Sequence, residues 1–137
     1  MWAVYALFSA LFAALTSILG KIGVENVNSN LATAIRTVVV LVLAWVIVFA
    51  TKAQGAITEI SRRSLVFLVL SGIATGLSWL CYYRALQMGP ASRVIPIDKS
   101  SVVFGMILAF IVLGETLTVK AIIGGSLIAI GTFVLIF

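Results

Sequence analysis

Apolar residues run along this chain in long stretches separated by short polar punctuation. The first stretch runs from Trp2 to Gly20 and stops at Lys21, with Glu25, Asn26, Asn28 and Asn30 marking a polar connection. The second, Leu31 to Ala50, is rich in Val and interrupted by Thr33, Arg36 and Thr37. Lys52 to Ser64 is the longest polar segment, too short and too mixed in character to fold as a domain. A third stretch, Leu65 to Tyr83, ends at Arg84, a cation where the dipole of a helix C-terminus favours one. Met88-Gly89-Pro90 then breaks the chain, because Gly suits a left-handed C-cap and Pro the first turn of the next helix. The fourth stretch, from Ala91 to Leu113, holds Arg93, Pro96, Asp98 and Lys99 ahead of the apolar run Val102 to Leu113. Gly114-Glu115-Thr116-Leu117-Thr118 closes it, and Lys120 to Phe137 makes the fifth.

Each stretch is near the roughly 20 residues needed to cross the hydrocarbon of a bilayer as a helix. None alternates like a barrel strand, and a chain exposed to lipid must satisfy its own backbone hydrogen bonds, so all five are expected to be helices. The predicted fold is an all-α integral membrane protein, a bundle of five transmembrane helices over 2–20, 31–50, 65–83, 91–113 and 120–137, forming one membrane domain over 1–137. The first stretch lacks the basic leader of a signal peptide, has too long an apolar core and is followed by more spans; it reads as a retained helix.

Composition agrees and narrows the function. Of 137 residues 63% are hydrophobic and 9% charged, which leaves no room for a folded aqueous domain. There is no His and a single Cys, Cys81, so metal sites of the Cys/His type, an intrachain disulfide and His-based acid–base chemistry are excluded. Cys81 reads as a small apolar filler. No nucleophile and base for hydrolysis inside a membrane stand out, so the expectation is a protein that is not an enzyme and uses no cofactor or metal. The net charge of +5 is scattered over helix ends and loops rather than gathered in a stripe, which suits phospholipid contact and excludes nucleic acid as a partner.

Five spans place the two termini on opposite sides. Lys52, Arg62, Arg63 and Lys120 then share the side of the N-terminus, against Lys21, Arg84 and Arg93 on the other, with Arg36 assignable to neither. The positive-inside rule votes weakly for a cytoplasmic N-terminus. So near a balance permits insertion in both orientations; a single orientation with a modest bias is the other reading.

Ionisable groups within a span are candidates for function because their burial in lipid is unfavourable by several kcal/mol, to order of magnitude, unless they are paired or hydrated. Asp98 and Lys99 fall about 10 to 12 Å along the fourth helix. As sequence neighbours they diverge by about 100°, so each is expected to look for a partner on another helix or in a wet cavity, and Arg36 is the candidate partner of Asp98. Asp98 reads as a pathway-lining acid or half of a structural ion pair, and Arg36 as a functional cation or one whose long stem returns its head to the interface. Pro96 deprives the Ser92 carbonyl of its helical donor and is expected to bend the helix just before Asp98. Such a bend can expose backbone to a solute, or serve packing alone.

The third helix carries Ser71, Thr75, Ser78 and Tyr82 on one stripe and Gly72, Gly76, Trp79 and Tyr83 on the next. Hydroxyls beside rings suit a cavity for a polar or cationic solute; a close-packed Gly72-x-x-x-Gly76 face and an interfacial aromatic belt are the alternatives. Ala121, Gly125 and Ala129 form a small-residue ridge on the fifth helix, suited to close contact within the chain or across a dimer.

The run Tyr83-Arg84-Ala85-Leu86-Gln87-Met88-Gly89-Pro90-Ala91-Ser92, followed by Leu113-Gly114-Glu115-Thr116-Leu117-Thr118 and the Gly-rich Gly124 to Gly131, resembles the signature of an EamA domain, the repeat unit of the drug/metabolite transporter superfamily. The resemblance implies secondary transport of small organic metabolites, typically export, in a prokaryotic inner membrane. It further implies that five helices are one repeat, so that a second copy, parallel or antiparallel, completes a pathway by alternating access. On this reading Asp98, Lys99, Arg36, Arg93, Ser101, Trp79, Tyr82, Ser78 and Pro96 line the path of a solute or a coupling proton. Asp98-Lys99-Ser100-Ser101 is more polar than the aliphatic stretch such domains usually carry there, and the proline they often show just before the aromatic, here Phe104, is missing, with Ser101 and Val102 in that region. Both departures fit a subgroup with a charged solute or an ion-coupled cycle. A small-multidrug-resistance-like exporter, a lipid-carrier flippase subunit and a non-transporting membrane subunit are the alternative functions; the first centres on a Glu in its first helix, where Trp2 to Gly20 has no acid.

Overall fold

The structure, a computed structural model, describes residues 1–136. Among them every regular element is helical: α1 (Trp2–Gly23), α2 (Ser29–Ala50), a 3₁₀ segment (Ala53–Glu59), α3 (Arg62–Met88), α4 (Ala91–Lys99), α5 (Ser101–Leu113) and α6 (Val119–Ile136). With α4 and α5 taken together as Ala91–Leu113, five helices are long and apolar enough to cross a membrane. Phe137, the end of the fifth predicted span, lies outside the described residues.

Three helices, α2, α3 and α6, begin where side chains take up free N–H groups of the first turn. Asn28 Oδ1 accepts from the N–H groups of Asn30 (3.0 Å) and Leu31 (3.3 Å), so α2 starts at Ser29, two residues before the apolar run. Ser61 Oγ accepts from Ser64 N–H at 3.1 Å at the start of α3, and Thr118 Oγ1 from Ala121 N–H at 3.2 Å at the start of α6. The end of α5 is set by Gly114, whose φ of 68° is the left-handed conformation that lets Glu115 N–H turn back to the Ala109 carbonyl.

Three local expectations are corrected. Gly89 is not a left-handed cap, and Pro90 is the N-cap of α4 rather than part of its first turn. The third helix does not stop at Arg84: it continues to Met88, because Gln87 finds acceptors in the connection after α1 that compensate for its polarity. The fourth span, expected as one helix over 91–113, is interrupted at Ser100. Pro96 sits within α4 without ending it, whereas Ser100 donates its hydroxyl to the Ile97 carbonyl at 2.6 Å and its N–H to the Pro96 and Ile97 carbonyls, tightening that turn.

The chain forms two compact units, one of residues 18–88 and one of residues 1–17 with 89–137. In the first, α2 packs on α3, and the end of α1 joins them; Val24, Leu86, Tyr82 and Tyr83 are its buried apolar residues and Ser29 and Thr33 its buried polar ones. In the second, α4 and α5 pack on α6, where Gly125 and Thr132 are buried. The remaining surface of the spans is largely apolar and exposed, as lipid-facing side chains require.

Candidate functional site

In the unit of residues 18–88, α2 and α3 run antiparallel, so the start of one lies beside the end of the other. Arg36 is seven residues into α2, about 10 Å along its axis from Ser29. Its guanidinium carbon lies 3.2 Å from the centroid of the Trp79 ring and 5.8 Å from that of Tyr83. At 3.2 Å the guanidinium has to lie nearly flat on the indole, since an upright one would drive a nitrogen into the ring. A cation held on Trp in this way is stabilised by about 0.5–2 kcal/mol, depending on desolvation. The head of Arg36 is thus anchored level with Trp79, nine residues before the end of α3.

Three rings surround the stack. Trp79 and Tyr82 meet edge to face at 5.6 Å, Trp79 and Tyr83 are tilted at 5.7 Å, and Tyr82 and Tyr83 meet at 6.2 Å. Tyr83 is seated against Gly20 of α1, where a β-carbon would come within 2.9 Å of its hydroxyl. The Tyr82 hydroxyl is buried and has no hydrogen-bond partner among the described residues. Side chains meeting main-chain carbonyls clasp the end of this cluster: Gln87 Nε2 donates to the Val24 carbonyl (2.9 Å) and to that of Val27, and Lys21 Nζ to that of Leu86.

Of the residues singled out in sequence, Arg36, Trp79 and Tyr82 thus come together. Tyr83, Gly20, Gln87 and Lys21 were missed. The sequence pattern places Tyr83 on the glycine stripe, and Gln87 falls beyond the apolar stretch that ends at Tyr83, so neither stands out by depth. Ser71, Thr75 and Ser78 are exposed, and Thr75 donates to the Ser71 carbonyl of its own helix at 2.9 Å. A β-carbon at Gly72 or Gly76 would meet nothing within 4 Å, so within residues 18–88 this stripe makes no close helix contact. Cys81 is exposed and not a packing filler.

In the other unit Asp98 and Lys99 bond to each other, Nζ to Oδ2 at 3.2 Å, contrary to the expectation that each seeks a partner elsewhere. The four-carbon stem of Lys99 reaches around the helix and bridges the 100° between them. The pair is partly exposed, Lys99 by 50% and Asp98 by 33%. Arg93 and Ser101 are exposed and Pro96 is half-buried. Gly125 receives Met106, whose sulfur and methyl would meet a β-carbon at 3.2 and 3.1 Å, while Ala121 and Ala129 are half-buried; at Gly125 the small-residue ridge therefore packs within the chain.

The EamA-like transporter family matches over residues 1–137. A protein of a Sinorhizobium species named "Uncharacterized transporter in cobO 3'region" is 48% identical over 134 residues, covering 98% of this chain and 95% of that protein. No solved structure matches. A single family thus accounts for the five apolar helices, the Pro-Ala-Ser turn and the Leu-Gly-Glu corner alike: the chain belongs to the EamA-like transporters.

Proposed function

We propose that this membrane transporter works as a secondary-active exporter of a small organic metabolite, with two copies of the five-helix domain enclosing the pathway. The observation that carries this reading is Arg36, a cation held about 10 Å inside a span by an aromatic cluster in a chain of transporter lineage. Keeping a charge at that depth opposes lipid solvation and is warranted where a solute or ion must pass. Family membership supports the inner membrane of a prokaryote as its location. The near balance of cations on the two sides supports an antiparallel pair.

In this mechanism the fourth spans line the central cavity. Asp98 takes up and releases the coupling proton, Lys99 and Arg93 supply its charge partners, and Ser101, Ser78 and Tyr82 offer hydroxyls along the path. Proton uptake by Asp98 releases Lys99, and that exchange couples the proton to the solute. The open Gly72–Gly76 face of α3 supports a second reading, a non-transporting subunit that packs on a partner there. Proton-driven solute flux in vesicles containing this protein alone separates the two: flux in the parent that loses its dependence on the proton gradient in Asp98→Asn is the expected result. An Asp98→Asn protein that remains coupled overturns the role of Asp98, and no flux for any of a broad panel of solutes overturns transport by this chain alone.

A further inference from the structure

We propose that Arg36 binds the carboxylate of an organic anion, which pairs with the edge of the guanidinium while Trp79 holds its face. This rests on the transport reading above and names the class of solute.

The charge at Arg36 is not matched within its unit. Among residues 18–88 no carboxylate lies within ion-pair distance of it, and no acceptor takes its N–H groups. The acids of residues 18–88 are Glu25, in the connection after α1, and Glu59, in the 3₁₀ segment; both are exposed and outside the spans. Asp98, an acid within the fourth span, already carries Lys99.

The stack selects which part of Arg36 is left for a ligand. The donors of a guanidinium point outward in its own plane, so a ring 3.2 Å below the carbon occupies one face and leaves the N–H edge clear of it. That edge is a fork whose spacing matches the two oxygens of a carboxylate. Trp79 fixes the direction of the fork beforehand and so reduces the ordering needed on binding. Arg36 and Trp79 are half-buried, hence reachable. A cationic solute would meet like charge here, and a neutral amide would forgo the charge-assisted pair. The flanking rings suit a carboxylate borne on a flat apolar body, which makes benzoate a fitting probe.

The test uses full-length protein in phosphatidylcholine vesicles, with Trp2→Phe and Trp45→Phe introduced so that Trp79 is the sole indole. Benzoate should change Trp79 emission saturably, and benzamide and benzylamine should not. Arg36→Gln should weaken benzoate binding about tenfold or more, and Arg36→Lys, which keeps the charge and loses the fork, by about three- to tenfold. Equal benzoate affinity in the parent and both variants overturns the proposal, as does a response to benzylamine but not to benzoate. Loss of the benzoate response when phosphatidylglycerol is added assigns the site to a lipid phosphate and overturns a solute carboxylate. Restoration of the parent's affinity by exchanging the charges, Arg36→Asp with Asp98→Arg, makes Arg36 a counter-ion of Asp98 and likewise overturns it. The two readings fail separately: benzoate bound through Arg36 without flux of any solute fails transport and leaves the anion site, whereas flux that Arg36→Gln leaves unchanged fails the site and leaves transport.

Discussion

Two places in this molecule hold charge seven or more residues inside a membrane-spanning helix, and they solve the problem in opposite ways. Asp98 and Lys99 neutralise each other along one turn of α4, a local device that asks nothing of the surrounding helices. Arg36 has no such neighbour and is held by rings from another helix, themselves seated on a glycine of a third. The first arrangement is soft and partly exposed, as the proposed exchange of a proton requires. The second is rigid and leaves its charge without an acid beside it in its unit, as the proposed binding of a carboxylate requires.

The contrast is broken most sharply at Gly20. Val there would place its β-carbon 2.9 Å from the Tyr83 hydroxyl, and Tyr83 cannot shift without disturbing Trp79 and Arg36. Gly20→Val is expected to destabilise the fold by about 2–3 kcal/mol, the range for overpacking, measured by reversible unfolding in mixed micelles. A loss below about 0.5 kcal/mol would mean the cluster is as soft as the Asp98 pair. Tyr82→Phe tests the same cluster with a smaller effect of opposite sign: removing a buried hydroxyl that has no partner should leave stability unchanged or raise it by up to about 1 kcal/mol in the same assay. Clear destabilisation would show that the hydroxyl is bonded. The smallest effect is expected for Lys99→Gln, below about 1 kcal/mol, since an ion pair this exposed contributes little. A larger loss would make the Asp98 pair a structural clamp and remove the distinction.

What was legible in the sequence follows the same division. The five spans could be read because a run of some 20 apolar residues has one stable form in lipid. Their ends could be read only to within a few residues: α1 runs on to Gly23 and α3 to Met88, since helical hydrogen bonding continues past the apolar boundary wherever polar side chains find partners. Arg36, Trp79 and Tyr82 each stood out by residue type and depth. Their meeting depends on the register of α2 against α3, which no spacing within either helix encodes. Asp98 and Lys99 were misjudged through treating side chains as fixed spokes; a lysine stem is long enough to defeat the 100° between neighbours.

The clasp at the end of α3 has a consequence for how this sequence can drift. Gln87 and Lys21 donate to main-chain carbonyls, of Val24 and Val27 and of Leu86. Every amino acid brings such a carbonyl, so Val27 can be replaced without removing the acceptor, whereas the amide of Gln87 has no substitute of equal reach and chemistry. Selection on this contact therefore falls on the donors, and the connection between α1 and α2 can vary in sequence while keeping its path.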